Sequence, residues 1–188
     1  MKRLIMIMLT VFVMTAAAGC GAEDKTDNAQ EYGSPVELLS AVYDSYEEDE
    51  KFPIGGGDSS NVTMDEPGVF DISNTEELDV TLGLPASQAE NIDAAASMVH
   101  MMNANTFTCA AYHLTDAANA DMFKDAVEEN ILSRQWICGM PDTMIIADAG
   151  SGYVVTAFGE ASIMDTFKEK AEALGFKILS EEAVSDNF

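Results

Sequence analysis

The chain has 188 residues, with 33 acidic and only 9 basic side chains, and its formal net charge at pH 7 is −24. Nucleic acids and anionic lipid surfaces are bound by clustered Lys and Arg side chains, so this composition argues against both as partners. The composition favours a soluble protein with an acidic, solvated surface, and it is also compatible with cations or a basic partner.

Residues 1–20 have the layout of a secretory signal peptide. Lys2 and Arg3 form a short basic start, and the apolar run that follows is too short to span a membrane comfortably. The run ends with Cys20 directly after Ala and Gly, which resembles the lipobox of bacterial lipoproteins. The resemblance implies diacylglyceryl transfer to the Cys20 thiol, cleavage before it, and a lipid-anchored protein on the extracytoplasmic side of the cell membrane. An ordinary cleaved signal, or an uncleaved anchor that contains a cysteine, is the alternative.

Cleavage before Cys20 leaves 169 residues with a formal charge of −26, because the removed segment carries two basic residues and no acid. This length is enough for one domain with a sizeable core and tails. We expect a signal peptide at 1–19, the lipidated cysteine and a flexible tether at 20–33, a single domain at 34–180, and an acidic tail at 181–188.

The first predicted helix begins after Ser34. The Ser34 side chain can cap this helix, Pro35 suits its first position, and Glu37 completes a capping box. Apolar side chains then recur at helical spacing: Leu38, Leu39, Val42, Tyr43 and Tyr46. Residues 47–82 are rich in acids and glycine and predict an irregular acidic loop that lies against the domain. A further short helix is expected from Ser87.

The segment 96–102 is compatible with two structures. It can be the first strand of a hairpin, or a helix, because its apolar residues also recur at helical spacing. The second strand of that hairpin is predicted at 106–114. An amphipathic helix follows and ends near Arg134.

The clearest hairpin lies further along the chain. The β-rich runs 143–148 and 153–158 are separated by an Ala-Gly-Ser-Gly turn. A helix is predicted over 163–174, where Gly175 ends it, and a short strand is predicted at 176–179.

The elements from 106 to 179 therefore follow the order β-α-β-β-α-β. This order predicts an α+β fold, and it is the order of a ferredoxin-like sandwich, in which helices pack on one face of an antiparallel sheet. This half of the chain also resembles an uncharacterised domain of small Gram-positive lipoproteins. The similar features are a strand leading into an amphipathic helix that ends at Arg134, the Gly-Tyr-Val-Val strand at 152–155, and a final helix. The resemblance implies lipoprotein status and identifies no active residues.

The cysteine count predicts one disulfide. With Cys20 lipidated, Cys109 and Cys138 remain as a pair in an exported, oxidising environment. Two buried free thiols or a redox pair are the alternatives, although the close C-x-x-C spacing of redox pairs is absent.

Motifs that carry catalysis are not found. His100 and His113 are the two histidines, neither lies in H-E-x-x-H, and Gly150-Ser151-Gly152 lies in a hairpin turn rather than in a nucleophile elbow. We therefore expect no enzyme activity. A hydrolytic enzyme, the alternative, requires one of these histidines hydrogen-bonded to a carboxylate in a cleft.

Two clusters are weighed as metal sites, although neither a metal nor another cofactor is predicted. The stretch 58–66 carries oxygen ligands suited to a weak calcium site, but it lacks EF-hand spacing. A second cluster has ligands that copper accepts, although methionines on an apolar strand more often fill the core. Its members are Met98, His100, Met101, Met102, Cys109 and His113.

These observations predict a binding or accessory module for an envelope protein or a small ligand. Its binding surface is expected near Trp136, the only tryptophan, and Tyr153. A half-buried position of Trp136 as a lid over the sheet is the alternative. A weak calcium-dependent binding protein is a further candidate.

Overall fold

The computed structural model describes residues 31–102, 106–137 and 139–185. These residues form an antiparallel sheet of eight strands with four α-helices, which confirms the predicted α+β class. The helices are α1 (Pro35–Asp44), α2 (Thr75–Leu82), α3 (Ala120–Leu132) and α4 (Ala161–Ala173). The strands are β1 (Ile54–Gly56), β2 (Thr63–Met64), β3 (Gly68–Val69), β4 (Ile92–His100), β5 (Phe107–Leu114), β6 (Thr143–Gly150), β7 (Tyr153–Gly159) and β8 (Lys177–Ala183). No helix in this described part is long and apolar enough to cross a membrane.

The sheet has the order β2-β1-β4-β5-β7-β6-β8, and β3 pairs with β4. Both faces of the sheet are covered. Helices α1 and α4 cover the face that carries Met98, Cys109 and Val155, and α2 and α3 cover the face that carries Tyr112 and Phe158. The prediction that the helices pack on one face is therefore wrong.

The handedness of the connections explains why α3 and α4 lie on opposite faces of the sheet. Strands β5 and β6 are parallel because both pair antiparallel with β7, and β7 and β8 are parallel because both pair antiparallel with β6. Crossovers between parallel strands are right-handed in nearly all proteins. Helices α3 and α4 make crossovers that step the same way across the sheet, from strands of opposite direction. Equal handedness then requires the helices to lie on opposite faces.

The same topology differs from the ferredoxin-like order, although the predicted sequence of elements β5-α3-β6-β7-α4-β8 is present. In a ferredoxin-like sheet the last strand pairs with the first strand of the motif. Here β4 occupies that edge of β5, and β8 pairs with β6 at the opposite side of the sheet.

Local sequence signals explain the predicted elements that the structure confirms. The Ser34 hydroxyl accepts a hydrogen bond from the Glu37 N–H at 3.2 Å, and the Glu37 carboxylate accepts one from the Gly33 N–H at 2.9 Å. Ser151 and Gly152 have φ of 52° and 84°, the pair of left-handed residues that a tight hairpin turn requires.

The predicted irregular loop at 47–82 is wrong in part, because β1, β2, β3 and α2 form within it. The Asn74 side chain caps α2 by accepting from the Glu77 N–H, and Gly83 ends the helix with a φ of 73°. Glycine also lets β1 and β3 pass closely, since a Cβ atom at Gly56 would lie 2.0 Å from the backbone nitrogen of Gly68.

The structure decides two further points along the chain. Of the two alternatives for 96–102, the strand is correct as far as His100, because β4 pairs with β5 over almost its whole length. The predicted acidic tail at 181–188 is part of the fold over its first three residues, which continue β8 and pair with β6 as far as Ala183. Tyr32, which the sequence places in the tether, is buried and packs edge-on against Tyr153.

Candidate functional site

A cavity of about 480 Å³ lies on the face covered by α2 and α3. Its floor is one row across three neighbouring strands, in which Val99 pairs with Thr108 and Thr108 pairs with Phe158. Thr108 has the smallest side chain of the row, and neither α2 nor α3 covers it fully, since it is part-exposed. The side walls are the C-terminal turn of α2, with Val80, and the segment that follows α3, with Trp136.

Trp136 is positioned by contacts on both sides. Its ring lies 5.6 Å from the Phe158 ring, and the Arg134 guanidinium lies 5.3 Å from the Trp136 ring centroid. The indole Nε1–H is buried and has no hydrogen-bond partner among the residues that the structure describes. The sheet thus holds Trp136 half-buried, in agreement with the alternative that it is a lid, and the same ring lines the cavity.

Arg134 joins the cavity wall to α2. Its guanidinium donates to the backbone carbonyl of Val80 at 3.1 Å, to that of Asp79 at 2.6 Å and to the Asp79 carboxylate at 2.9 Å. These carbonyls belong to the last turn of α2, where a cation is favourable. A guanidinium has five N–H donors, so two remain without a partner in the described part of the chain.

The described lining of this cavity contains no carboxylate side chain, although the chain is strongly acidic. Its polar side chains are Arg134, His100 and three threonines, whose hydroxyls have no hydrogen-bond partner among the described residues. The complete described lining is Val80, Thr81, Val99, His100, Met102, Thr106, Phe107, Thr108, Arg134, Trp136, Gly139 and Phe158.

The rim of the cavity is apolar and exposed. Val80 and Met102 line the cavity and expose 69% and 57% of their surface, and Ile137, 98% exposed, lines an adjoining shallow cavity with Arg134 and Trp136. Exposed large apolar side chains are common when scattered, but a group of them around a cavity is typical of a binding surface.

A second, more open cavity of about 730 Å³ lies beside the N-terminus of α1 and the start of β4. It is lined by apolar residues such as Val69 and Phe70 and by three carboxylates, Asp58, Asp71 and Asp93. We call it the aspartate groove. Residues from the first part of the stretch 58–66, the candidate calcium site, also line this groove.

The carboxylates of the aspartate groove already have partners within the protein. Asp58 is buried and accepts hydrogen bonds from the backbone N–H groups of Ser60 at 2.8 Å and Asp71 at 3.1 Å. Asp71 accepts from the Ser73 N–H at 2.9 Å, and hydrogen bonds from the Ser73 side chain and backbone hold the pKa of the Asp71 carboxyl below its usual value. Asp58 therefore organises the loop around it.

Asp93 contacts His113 at 2.6 Å between the carboxylate and Nδ1. This is the histidine–carboxylate contact that the enzyme alternative requires, but the His113 and Asp93 side chains are 34% and 55% exposed. The pair lies on the surface, with the imidazole tilted against the Tyr153 ring at 4.8 Å. A surface pair of this kind also serves to hold neighbouring strands together.

His100 lies in a different environment. Its ring stacks on Phe52 at 4.6 Å, and its Nδ1 accepts a hydrogen bond from the Met102 N–H at 2.9 Å. Burial lowers the pKa of His100, while the charge of Glu160 opposes that shift. The imidazole is thus held neutral, and its visible role is to close the end of β4.

The residues weighed as a copper cluster are dispersed. Met98 and its cross-strand partner Cys109 are fully buried in the core, Met101 and Met102 are exposed, and His113 pairs with Ala94 near the opposite end of the ladder. Within the described residues, no group of three or more His, Cys, Asp or Glu side chains is arranged to hold a metal ion.

Cys109 has no disulfide partner among the described residues, and burial raises the pKa of its thiol. Cys138 and Cys20 lie outside the described residues. The disulfide and the lipidation therefore stay predictions.

Trp136 and Tyr153, predicted on one binding surface, lie on opposite faces of the sheet. Tyr153 is buried at the start of β7, whereas Trp136 packs on Phe158 near its end. The sequence analysis did not identify Thr108 or the Arg134–Asp79 pair as site residues. Arg134 directly after an amphipathic helix was visible in the sequence, but its partner is 55 residues away along the chain.

Comparison of the chain with models of known families, with curated proteins and with solved structures finds no match.

Proposed function

We propose that the protein is a lipid-anchored extracytoplasmic binding protein, and that the cavity beside Trp136 is its site for a small ligand. The observation that carries the proposal is the composition of the cavity lining. Acidic side chains make up 33 of 188 residues, yet none lines the described part of this cavity. The lining combines aromatic and aliphatic side chains with several polar groups, and small-molecule sites use such polar groups to orient a ligand.

The polar groups of the cavity support the same proposal. In a folded protein most polar side chains with restricted access to water find a partner within the chain. Here the threonine hydroxyls and two donors of Arg134 have no partner in the described residues, and a ligand in the cavity could use them. The indole N–H of Trp136 also lacks a partner among these residues, but it is buried and does not face the cavity space.

The entry point of the tether is compatible with this function. The described chain begins beside Tyr32, which packs on Tyr153 at the start of β7. Phe158, on the cavity floor, lies five residues further along β7, which corresponds to about 17 Å of extended strand. An anchor at Cys20 would therefore leave the cavity at the end of the sheet away from the anchored end.

A thermal-unfolding screen of residues 21–188 with small nutrients and metal ions tests the binding function. A ligand at a hundred times its dissociation constant adds about 2.7 kcal/mol to stability, a shift of several degrees for a domain of this size. The matched control is Thr108→Phe, which places a ring on the cavity floor. We expect a compound to raise the melting temperature of the wild type and not that of Thr108→Phe. A shift of equal size in both proteins would contradict the site, and no shift with any compound would favour an envelope protein as partner.

Fractionation tests the anchor. Cys20→Ala should move the protein from the membrane fraction to the soluble extracytoplasmic fraction. Retention of the variant in the membrane fraction would show that the anchor is not a lipid on Cys20.

A further inference from the structure

We propose that the cavity beside Trp136 binds a small carboxylic acid with an apolar body, and that Arg134 is the residue that selects the carboxylate. This inference rests on the proposed function, because it names the ligand class of the same site.

Arg134 is held in one orientation before any ligand arrives. Its three hydrogen bonds to the last turn of α2 fix the plane of the guanidinium, and the Trp136 ring covers it at 5.3 Å. A guanidinium fixed in this way loses little conformational entropy when its remaining donors bind. Both Nη2 hydrogens bind Asp79, so the remaining donors are Nε–H and one Nη1–H, and each of them can donate one charge-assisted hydrogen bond to a carboxylate oxygen.

The rest of the lining selects against a cation and accepts an apolar body. No carboxylate of the described lining could pair with an amine, whereas the hydroxyl of Thr108 can donate to an acid. Trp136, Phe158 and Val99 supply aromatic and aliphatic surface, and the volume of 480 Å³ is within the range of small-molecule sites.

Asp79 is the residue that opposes anion binding. Its carboxylate lies 2.9 Å from the guanidinium and offsets the charge of Arg134, and it also accepts a hydrogen bond from the Asn130 amide. Replacement of Asp79 with Asn keeps the shape of the side chain and removes its charge. This variant should therefore bind an anionic ligand more tightly, whereas loss of Arg134 should weaken binding.

Three compounds that share the same apolar body and differ in their head group test the effect of the head group on binding: 3-phenylpropionate, its methyl ester and 3-phenylpropylamine. Trp136 is the only tryptophan, so its fluorescence and its single indole N–H resonance report on the cavity alone. The net charge of −24 would by itself favour the amine. We expect the opposite order at Trp136, with the acid binding about tenfold more tightly than the ester and the amine weakest.

The variants test which residue makes the selection. Arg134→Gln should remove the preference for the acid over the ester, and Asp79→Asn should raise acid affinity severalfold. Circular dichroism confirms that each variant is folded, and Arg134→Lys, which keeps the charge without the three hydrogen bonds that fix the guanidinium on α2, should recover only part of the preference.

The outcomes distinguish the two proposals. Equal or tighter binding of the ester, or a preference for the acid that survives in Arg134→Gln, overturns the carboxylate proposal and leaves a small-ligand site in place. No response of Trp136 to any of the three compounds also overturns it, and the proposed function is then judged by the nutrient screen. A response that persists in Thr108→Phe overturns both.

Discussion

The two cavities of this protein differ in how their polar groups are used. In the aspartate groove each carboxylate has a partner within the chain: Asp58 and Asp71 accept from backbone N–H groups and Asp93 contacts His113. In the cavity beside Trp136, donors and hydroxyls remain without partners among the described residues. In the aspartate groove, which is the larger and more charged cavity, the charged side chains therefore stabilise the fold. The smaller cavity has the groups that a ligand can use.

Among the polar groups of the two cavities, the largest expected effect on stability is at Asp58. Asp58→Ala removes the acceptor for two backbone N–H groups in a buried loop, and we expect a loss of about 2–3 kcal/mol in the free energy of unfolding. Urea denaturation measures it, with Glu66→Ala as the control on an exposed part of the same loop. A loss below about 0.5 kcal/mol would contradict the structural role of this carboxylate.

Arg134→Gln should have a smaller effect on stability than on binding. The variant loses the hydrogen bonds to the last turn of α2, but the Asp79 side chain is 42% exposed, so the ion pair is screened by solvent. We expect a loss of about 1 kcal/mol by urea denaturation. A loss as large as that of Asp58→Ala would mean that Arg134 is chiefly a structural residue, and the contrast between the two cavities would fail.

His100, at the end of β4, is expected to make the stability of the protein depend on pH. Burial lowers the pKa of His100 in the folded protein below its unfolded value near 6.5, so the unfolded chain binds more protons in this range. The contribution of His100 is then fully present above pH 6.5 and is lost as the pH falls toward the folded pKa. Unfolding of His100→Gln, compared with the wild type from pH 7.5 to 5, should show a weaker loss with acid. An equal or steeper loss in the variant would contradict this origin.

The smallest expected effect is at the rim. Ile137 is 98% exposed, so Ile137→Ser should change the free energy of unfolding by less than about 0.5 kcal/mol. Leu82→Ala, at a fully buried position of α2, is the matched contrast and should cost about 2–5 kcal/mol. A loss above about 1 kcal/mol at Ile137 would show that the rim supports the fold rather than a ligand or partner.

Local signals in the sequence predicted most elements because they act over a few residues. The capping box at Ser34, the turn at Ser151-Gly152 and the Gly175 helix end each depend on neighbours within the same short segment. Helix α2 was also predictable in principle, since Asn74 and Glu77 form a cap and Gly83 follows. Its signal was concealed by the acidic, glycine-rich composition of the surrounding stretch.

By itself, then, the sequence determined the α+β class, the order of the elements from β5 to β8 and the strong acidity, and it predicts an export signal at residues 1–20. These properties depend on composition and on spacing along the chain. Tertiary structure alone decided which edge of the sheet β8 takes, and handedness then placed α3 and α4 on opposite faces. Tertiary structure also decided the candidate site. Val99, Thr108 and Phe158 become neighbours only through strand register. Arg134 contacts Asp79 only because α2 and α3 pack on the same face.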